Sequence, residues 1–194
     1  MLRIFILGLN VLCSSLFAYE PTINSLDAGS VSVQNKPVTL LGQGVKVGTQ
    51  APNFKLVDRL FSPITLSHYK GRALLLSTVP SLDTGVCKLQ TKSFNNTVAE
   101  KFPNITILSI STDLPFAQRH FCDTQSLENV TILSDSVWRD VGDKFGLIIQ
   151  GMGLLTRAVF ILDKEHKIIY KQIVDDLSHE PDYPKIFNVL ENLQ

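Results

Sequence analysis

The chain predicts an α/β domain, a mixed central sheet flanked by helices with an added N-terminal β-hairpin, on three observations. ALLLSTV, from Ala73, is a continuous apolar run bounded by turn signals, and NITILSIST, from Asn104, reads as a second buried strand. Runs of that kind are strands buried on both faces. Segments of helical character follow each of them. Finally, RAVFILD and KIIYKQIV flank the short turn KEH, which is the pattern of an antiparallel pair. Strands alternating with helices and closing on one antiparallel pair make a layered domain with a mixed sheet.

The elements follow in chain order. VSVQNKPVTLLG alternates apolar positions on either side of Asn35-Lys36-Pro37 and predicts the hairpin. GTQAPNFKLVD carries turn residues and then a short apolar run. SPITLSHYKGR reads as an extended segment closed by a Lys-Gly turn. After the strand at 73–79, Val86 to Phe102 predicts a helix, and the strand NITILSIST comes next. PFAQRHFC is a short helix opened by Pro115, a residue suited to a first helical turn. VTIL is a short strand, and SVWRDVGDKFG a helix stopped at Gly146. The last helix is expected from about Tyr183 to Leu193. No internal repeat and no second domain is visible.

The chain has 194 residues, which suits one domain, and is 44% hydrophobic and 19% charged, enough to build a core. Lys plus Arg and Asp plus Glu are 18 each, so no charge excess points to nucleic acid. The first eighteen residues stand apart. Arg3, an apolar run from Ile4 to about Leu12, then Ser14, Ser15 and Ala18 follow the plan of a secretory signal. Cleavage is placed after Ala18. The run is too short for a confident membrane span. A lipid anchor at Cys13 and an uncleaved anchor are the alternatives, and Asn10 and Leu12 fit a lipoprotein signal poorly. Residues 19–30 read as a polar linker and 31–194 as the folded domain.

Without the leader two cysteines remain, Cys87 and Cys122, which in an exported protein allow one disulfide. Such a staple would close a loop of about 35 residues, worth roughly 3–4 kcal/mol in the chain-entropy model. Cys87 also has a second reading. It follows a buried strand and falls in the first turn of the next helix, with Thr84 as a candidate N-cap for the Cys87 amide. A helix N-terminus favours the thiolate, the nucleophilic form. Gly85 allows close approach to the backbone, and Pro80 ends the strand. Nucleophile and space-filling thiol both fit this position. A metal site fits less well. Gln90 and Thr91 stand where C-x-x-C or C-x-x-x-C would need a second cysteine, and His68, His120, His166 and His179 are scattered. Three Asn-x-Thr sequons begin at Asn95, Asn104 and Asn129.

PSLDTGVC resembles the Pro-x-x-x-Thr-x-x-Cys signature of the peroxiredoxins. STDLPFAQRHFC, LTRAVFILD and VDDLSHEPDY resemble, in the same order, segments of one branch, the bacterial thiol peroxidases or atypical two-cysteine peroxiredoxins. The likeness runs from about Val31 to the C-terminus and leaves the leader outside.

The resemblance implies a thioredoxin-like fold and no metal, haem or flavin cofactor. It implies that Cys87 is the peroxidatic cysteine, oxidised by hydrogen peroxide or an organic hydroperoxide to a sulfenic acid. Cys122 would be the resolving cysteine that condenses with it in an intramolecular disulfide, after local unwinding of both segments. Thioredoxin or an exported thioredoxin-like reductant would restore the thiols. Thr84, the Cys87 amide and Arg157 would stabilise charge developing on the peroxide oxygens, and Pro80 would shield the sulfur. Arg119 and Arg139 read as helix-surface charges, and DKEHK and VDDLSHEPD as solvated surface. A homodimer is also implied. Phe61 and Trp138 could serve an interface or the core. The rival readings are a thioredoxin-like oxidoreductase without peroxidase activity, opposed by the missing C-x-x-C, and a non-catalytic domain with a permanent Cys87–Cys122 staple. The leader points to the periplasm or another exported location, where ordinary thioredoxin is absent and dithiols tend to be oxidised. The cytoplasm, the usual place of the family, is the alternative.

Overall fold

Successive strand residues point to opposite faces, so a strand with every residue buried is covered on both sides. The segment Leu74–Thr78 meets that condition, with all five residues buried. The structure, a computed structural model, describes residues 22–193. The signal-like leader and the first residues of the expected linker lie outside the described residues.

In chain order the strands and helices are β1 (Val31–Val33), β2 (Lys36–Val38), β3 (Leu40–Leu41), β4 (Lys55–Val57), β5 (Pro63–Thr65), β6 (Leu74–Thr78), α1 (Gly85–Ser93), α2 (Ala99–Lys101), β7 (Thr106–Ser111), α3 (Pro115–Gln125), β8 (Val130–Ser134), α4 (Asp140–Phe145), β9 (Ile148–Ile149), β10 (Ala158–Leu162), β11 (Ile168–Ile173) and α5 (Tyr183–Glu191). Seven strands form the main sheet in the order β11-β10-β6-β7-β8-β4-β5. The centre, β6-β7-β8, is parallel, and both flanks are antiparallel. Leu74 and Leu76 pack on one face with Phe145 of α4 and Phe160 of β10. Leu75 packs on the other with Phe94, Phe121 and Ile186. That second layer also takes in Cys87 of α1 and Cys122 of α3.

The N-terminal hairpin forms as expected, but its turn is tighter. Gln34 and Asn35 take φ of 51° and 62°, and Pro37 already pairs with Ser32. Two left-handed central residues give the turn whose twist matches a two-residue hairpin. The helix expected over 86–102 is continuous but not uniform. α1 passes through a π-helical stretch, Phe94–Val98, into α2. Phe94, Asn95 and Val98 of that stretch are buried, and Asn95 accepts bonds from the Glu128 and Asn129 amides. Of the three sequon asparagines, Asn95 is therefore enclosed.

Three readings of surface segments change. The described part of the linker is docked: Asn24 is fully buried, donates to the Gly146 carbonyl and accepts from the Leu26 amide. Asp27 beside it pairs with Lys171 at 2.7 Å. The turn KEH is not wholly solvated, since His166 is buried and hydrogen-bonded to the Tyr69 carbonyl at 3.0 Å. The helix expected from Ser136 begins only at Asp140, because Arg139 is left-handed and the Asp135 carboxylate reaches over to accept from the Val141 and Gly142 amides. Gly146 closes α4 with φ of 72°. A Cβ there would lie 2.7 Å from the Gly44 nitrogen, so the close approach requires glycine.

Burial pushes the Asp135 carboxyl up to about 6, against the pull of those two amides and of Arg139. The fold therefore holds this proton more tightly than the unfolded chain does. The Asp135 contribution to stability is full at low pH, declines as pH rises from about 4 to about 6, and is level above. Urea unfolding from pH 4 to pH 7 should show wild type losing about 2–4 kcal/mol relative to Asp135→Asn across that window.

Candidate active site

β6 ends at Thr78, and the chain turns through Pro80 to enter α1 at Gly85. Ligand and catalytic sites of parallel sheets form at this end of the strands. Thr78 also fixes the neighbouring strand. Its hydroxyl donates to the Thr156 carbonyl at 2.8 Å and accepts from the Ala158 amide at 3.1 Å. The residue between those two contacts is Arg157.

Arg157 is 1% exposed. Its Nη1 donates to Gln90 Oε1, and its Nη2 donates to the Leu177 carbonyl at 3.0 Å and to Cys87 Sγ at 3.4 Å. The buried Nε has no hydrogen-bond partner among the described residues, so the guanidinium keeps a spare donor. No carboxylate among the described residues forms an ion pair with it. A buried cation is favoured by negative charge nearby, and the Cys87 sulfur is in contact with it. Gln90 holds the arrangement from behind, donating through Nε2 to the Ser77 hydroxyl at 2.7 Å.

Pro80, Thr84, Cys87 and Arg157 line one cavity of about 660 Å³, with Val33 and Met152 on its rim. Cys87 has no exposed surface and forms part of the floor, while Gly85 has open space where a Cβ would stand. Thr84 is the N-cap of α1, as expected, but its hydroxyl does not cap. It donates to the Ser81 carbonyl at 3.1 Å, the same oxygen that takes the Thr84 amide. The reason is the tight 81–84 turn, which turns the side chain back on the loop instead of forward onto the Cys87 amide.

Cys122 sits on α3 and lines a different cavity, with Asp58, Arg59 and Leu60 on the 58–62 loop. Both cysteines are free thiols. Burial pushes the Cys122 thiol up, while the positive charge of the nearby Arg59 guanidinium pulls it down. His120 lines a third cavity, between α3 and the start of α1. Among the described residues no cluster of three or more His, Cys, Asp or Glu has metal-site geometry.

Two contributors escaped the sequence reading. Gln90 registered only as the residue that breaks a C-x-x-C spacing. Leu177 lies in VDDLSHEPD, read as plain solvated surface, yet its carbonyl holds Arg157. A polar residue three positions after a first-turn cysteine shares its helix face, and that was the available signal for Gln90. A backbone carbonyl gives none. Arg119 is an exposed helix residue as expected, although it donates to the Arg59 carbonyl. Arg139 precedes its helix and donates to the Gly153 carbonyl.

Comparison with known proteins completes the picture. Residues 47–171 match the AhpC/TSA family. The chain belongs to the AhpC/TSA family. The thiol peroxidase of Oceanobacillus iheyensis is 44% identical over 161 residues, 83% of this chain and 98% of that protein. The thiol peroxidase of Bacillus subtilis is 39% identical, covering 80% of this chain and 92% of its own. A crystal structure of a peroxiredoxin-like protein from Aquifex aeolicus superposes with a TM-score of 0.79 at 38% identity, over 84% of this chain and 96% of that one. The thioredoxin-like peroxiredoxin fold is therefore that of this AhpC/TSA member.

Two outcomes test the site. Gln90→Glu keeps the side-chain shape but neutralises Arg157. It should slow Cys87 oxidation by peroxide about ten- to hundredfold in stopped-flow experiments, with little change in melting temperature. Arg59→Gln removes a positive charge from Cys122. In a Cys87→Ser background the pH midpoint of Cys122 alkylation should move upward.

Proposed function

We infer that this AhpC/TSA protein is a thiol-dependent peroxidase that reduces hydrogen peroxide and organic hydroperoxides. The single observation that carries the reading is the Arg157 guanidinium set against Cys87 Sγ at 3.4 Å with a spare buried donor. The family match and the thiol peroxidase relatives support it.

Cys87 is the peroxidatic residue of this reading. Its thiolate attacks one peroxide oxygen, the O–O bond breaks, and the departing alkoxide or hydroxide takes a proton. Cys87 leaves as a sulfenic acid. Arg157 supplies fixed positive charge where the oxygens become negative, and being already held by Gln90 and Leu177 it needs no reorganisation. Pro80 walls the sulfur from water, and Thr84 borders the approach. Cys122 is the resolving residue: its sulfur bonds to Cys87, and the sulfenic hydroxyl leaves as water. A thioredoxin-like dithiol then reduces the disulfide by two exchange steps and is itself oxidised. The shared core layer of the two cysteines favours this pairing.

The leader supports export, with a dedicated reducing partner in that compartment. N-terminal sequencing of protein from the exported fraction should begin at Tyr19. Full-length chain in the cytosol would overturn export. The exposed, contacting pair Phe61 and Phe116 is the surface we assign to a homodimer, as the resemblance implies, and sedimentation of Phe61→Asp should give a lighter species than wild type.

Adding one equivalent of hydrogen peroxide to reduced protein should remove two hydrogens within seconds and link Cys87 to Cys122 in a non-reducing peptide map. Cys122→Ser should instead gain oxygen at Cys87, and Cys87→Ser should not react on that timescale. A thiol pair that oxidises only slowly in air would favour the oxidoreductase reading.

A further inference from the structure

Cys87 and Cys122 line separate cavities, and between the start of α1 and α3 lies a third, of about 380 Å³. Both cysteines are free thiols that line different cavities, so one or both segments must move for the sulfurs to bond. One side chain on this cleft holds the segment leading to Cys87. The Asp113 carboxylate accepts from the Ser81 hydroxyl at 2.8 Å, the Leu82 amide at 2.7 Å and the Ser111 hydroxyl at 2.8 Å. Its own backbone is anchored, since its carbonyl accepts from the Ser134 hydroxyl at 2.6 Å. The residue after it, Leu114, is the N-cap of α3.

Asp113 is thus a fixed post between two parallel strands, tied to the loop that leads into Cys87 and covalently next to the helix that carries Cys122. Its two bonds to residues 81 and 82 hold the turn on which Thr84 and Pro80 depend. Both bonds must lengthen or break if that turn opens. We propose that Asp113 is a positioning residue with opposite effects on the two steps: it speeds attack of Cys87 on peroxide by holding the 80–84 turn, and slows disulfide formation by resisting its release. This rests on the assignment of Cys122 as the resolving residue.

The test uses reduced full-length protein, as wild type, Asp113→Ala, Asp113→Asn and Ser81→Ala. One equivalent of hydrogen peroxide is added, and rapid quench with mass spectrometry follows loss of the Cys87 thiol and appearance of the Cys87–Cys122 link separately. Asp113→Ala should slow the first step about tenfold, the size of one charge-assisted hydrogen bond, and speed the second a few-fold. Ser81→Ala, which removes one tether and no charge, should move both rates in the same opposed sense by less. It keeps the test decisive if Asp113→Ala does not fold. Both rates falling together, or the second unchanged, would overturn the proposal and leave Asp113 an ordinary structural carboxylate. A wild type that never forms the Cys87–Cys122 link would overturn it by a different route, through the resolving role itself, and would be seen without any variant.

Discussion

A buried guanidinium with no carboxylate to neutralise it is the constraint on which the site rests. Arg157 is held by a side-chain amide, a backbone carbonyl and a thiol sulfur. None of these carries a full negative charge unless the thiol ionises. The surrounding elements are arranged to keep this cation in place. Thr78 pins the start of β10 on both sides of it, Gln90 reaches across from α1, and the loop after β11 supplies Leu177. Charge is thereby fixed beside a buried sulfur before substrate arrives, ready to act on developing negative charge.

A second constraint works against the first. In the proposed reaction the attacking cysteine must be rigidly placed, while disulfide formation needs two sulfurs from different helices to meet. The two cysteines differ in what surrounds them. Cys87 is packed under α1 in the sheet-facing layer, next to the fully buried strands β6 and β10. Cys122 sits on a helix with one face against the same layer and the other open. Gln118 and Phe121 of that helix are buried, whereas Phe116, Arg119 and Asp123 are exposed. Helices with few buried contacts open at lower free-energy cost than central strands.

Much of this was legible in the chain itself. ALLLSTV and NITILSIST fit central strands, because strands so rich in apolar residues are covered on both faces. Pro115 opened its helix and Gly146 closed one, since each suits a backbone geometry that few other residues tolerate. What misled the reading was polarity. Asn24, His166 and Leu177 lie in hydrophilic stretches that look solvated, yet each is docked by hydrogen bonds to residues far along the chain. Thr84 was placed correctly and its hydroxyl bond was not, because the choice between capping forward and bonding back to Ser81 depends on loop geometry rather than residue type.

The parts given to Arg157 and Cys122 came only from the family resemblance; the chain's own pattern carried the layered α/β architecture and the cysteine at a strand-to-helix junction. Those follow from local physics: hydrophobic period, turn chemistry and the charge at a helix start. Which residues meet was settled by packing. It joined Gln90 and Leu177 to Arg157, set Cys122 in a cavity apart from Cys87, and placed Asp113 between the two segments. Contacts between residues tens of positions apart are set by how the sheet and helices pack, and no local pattern records them.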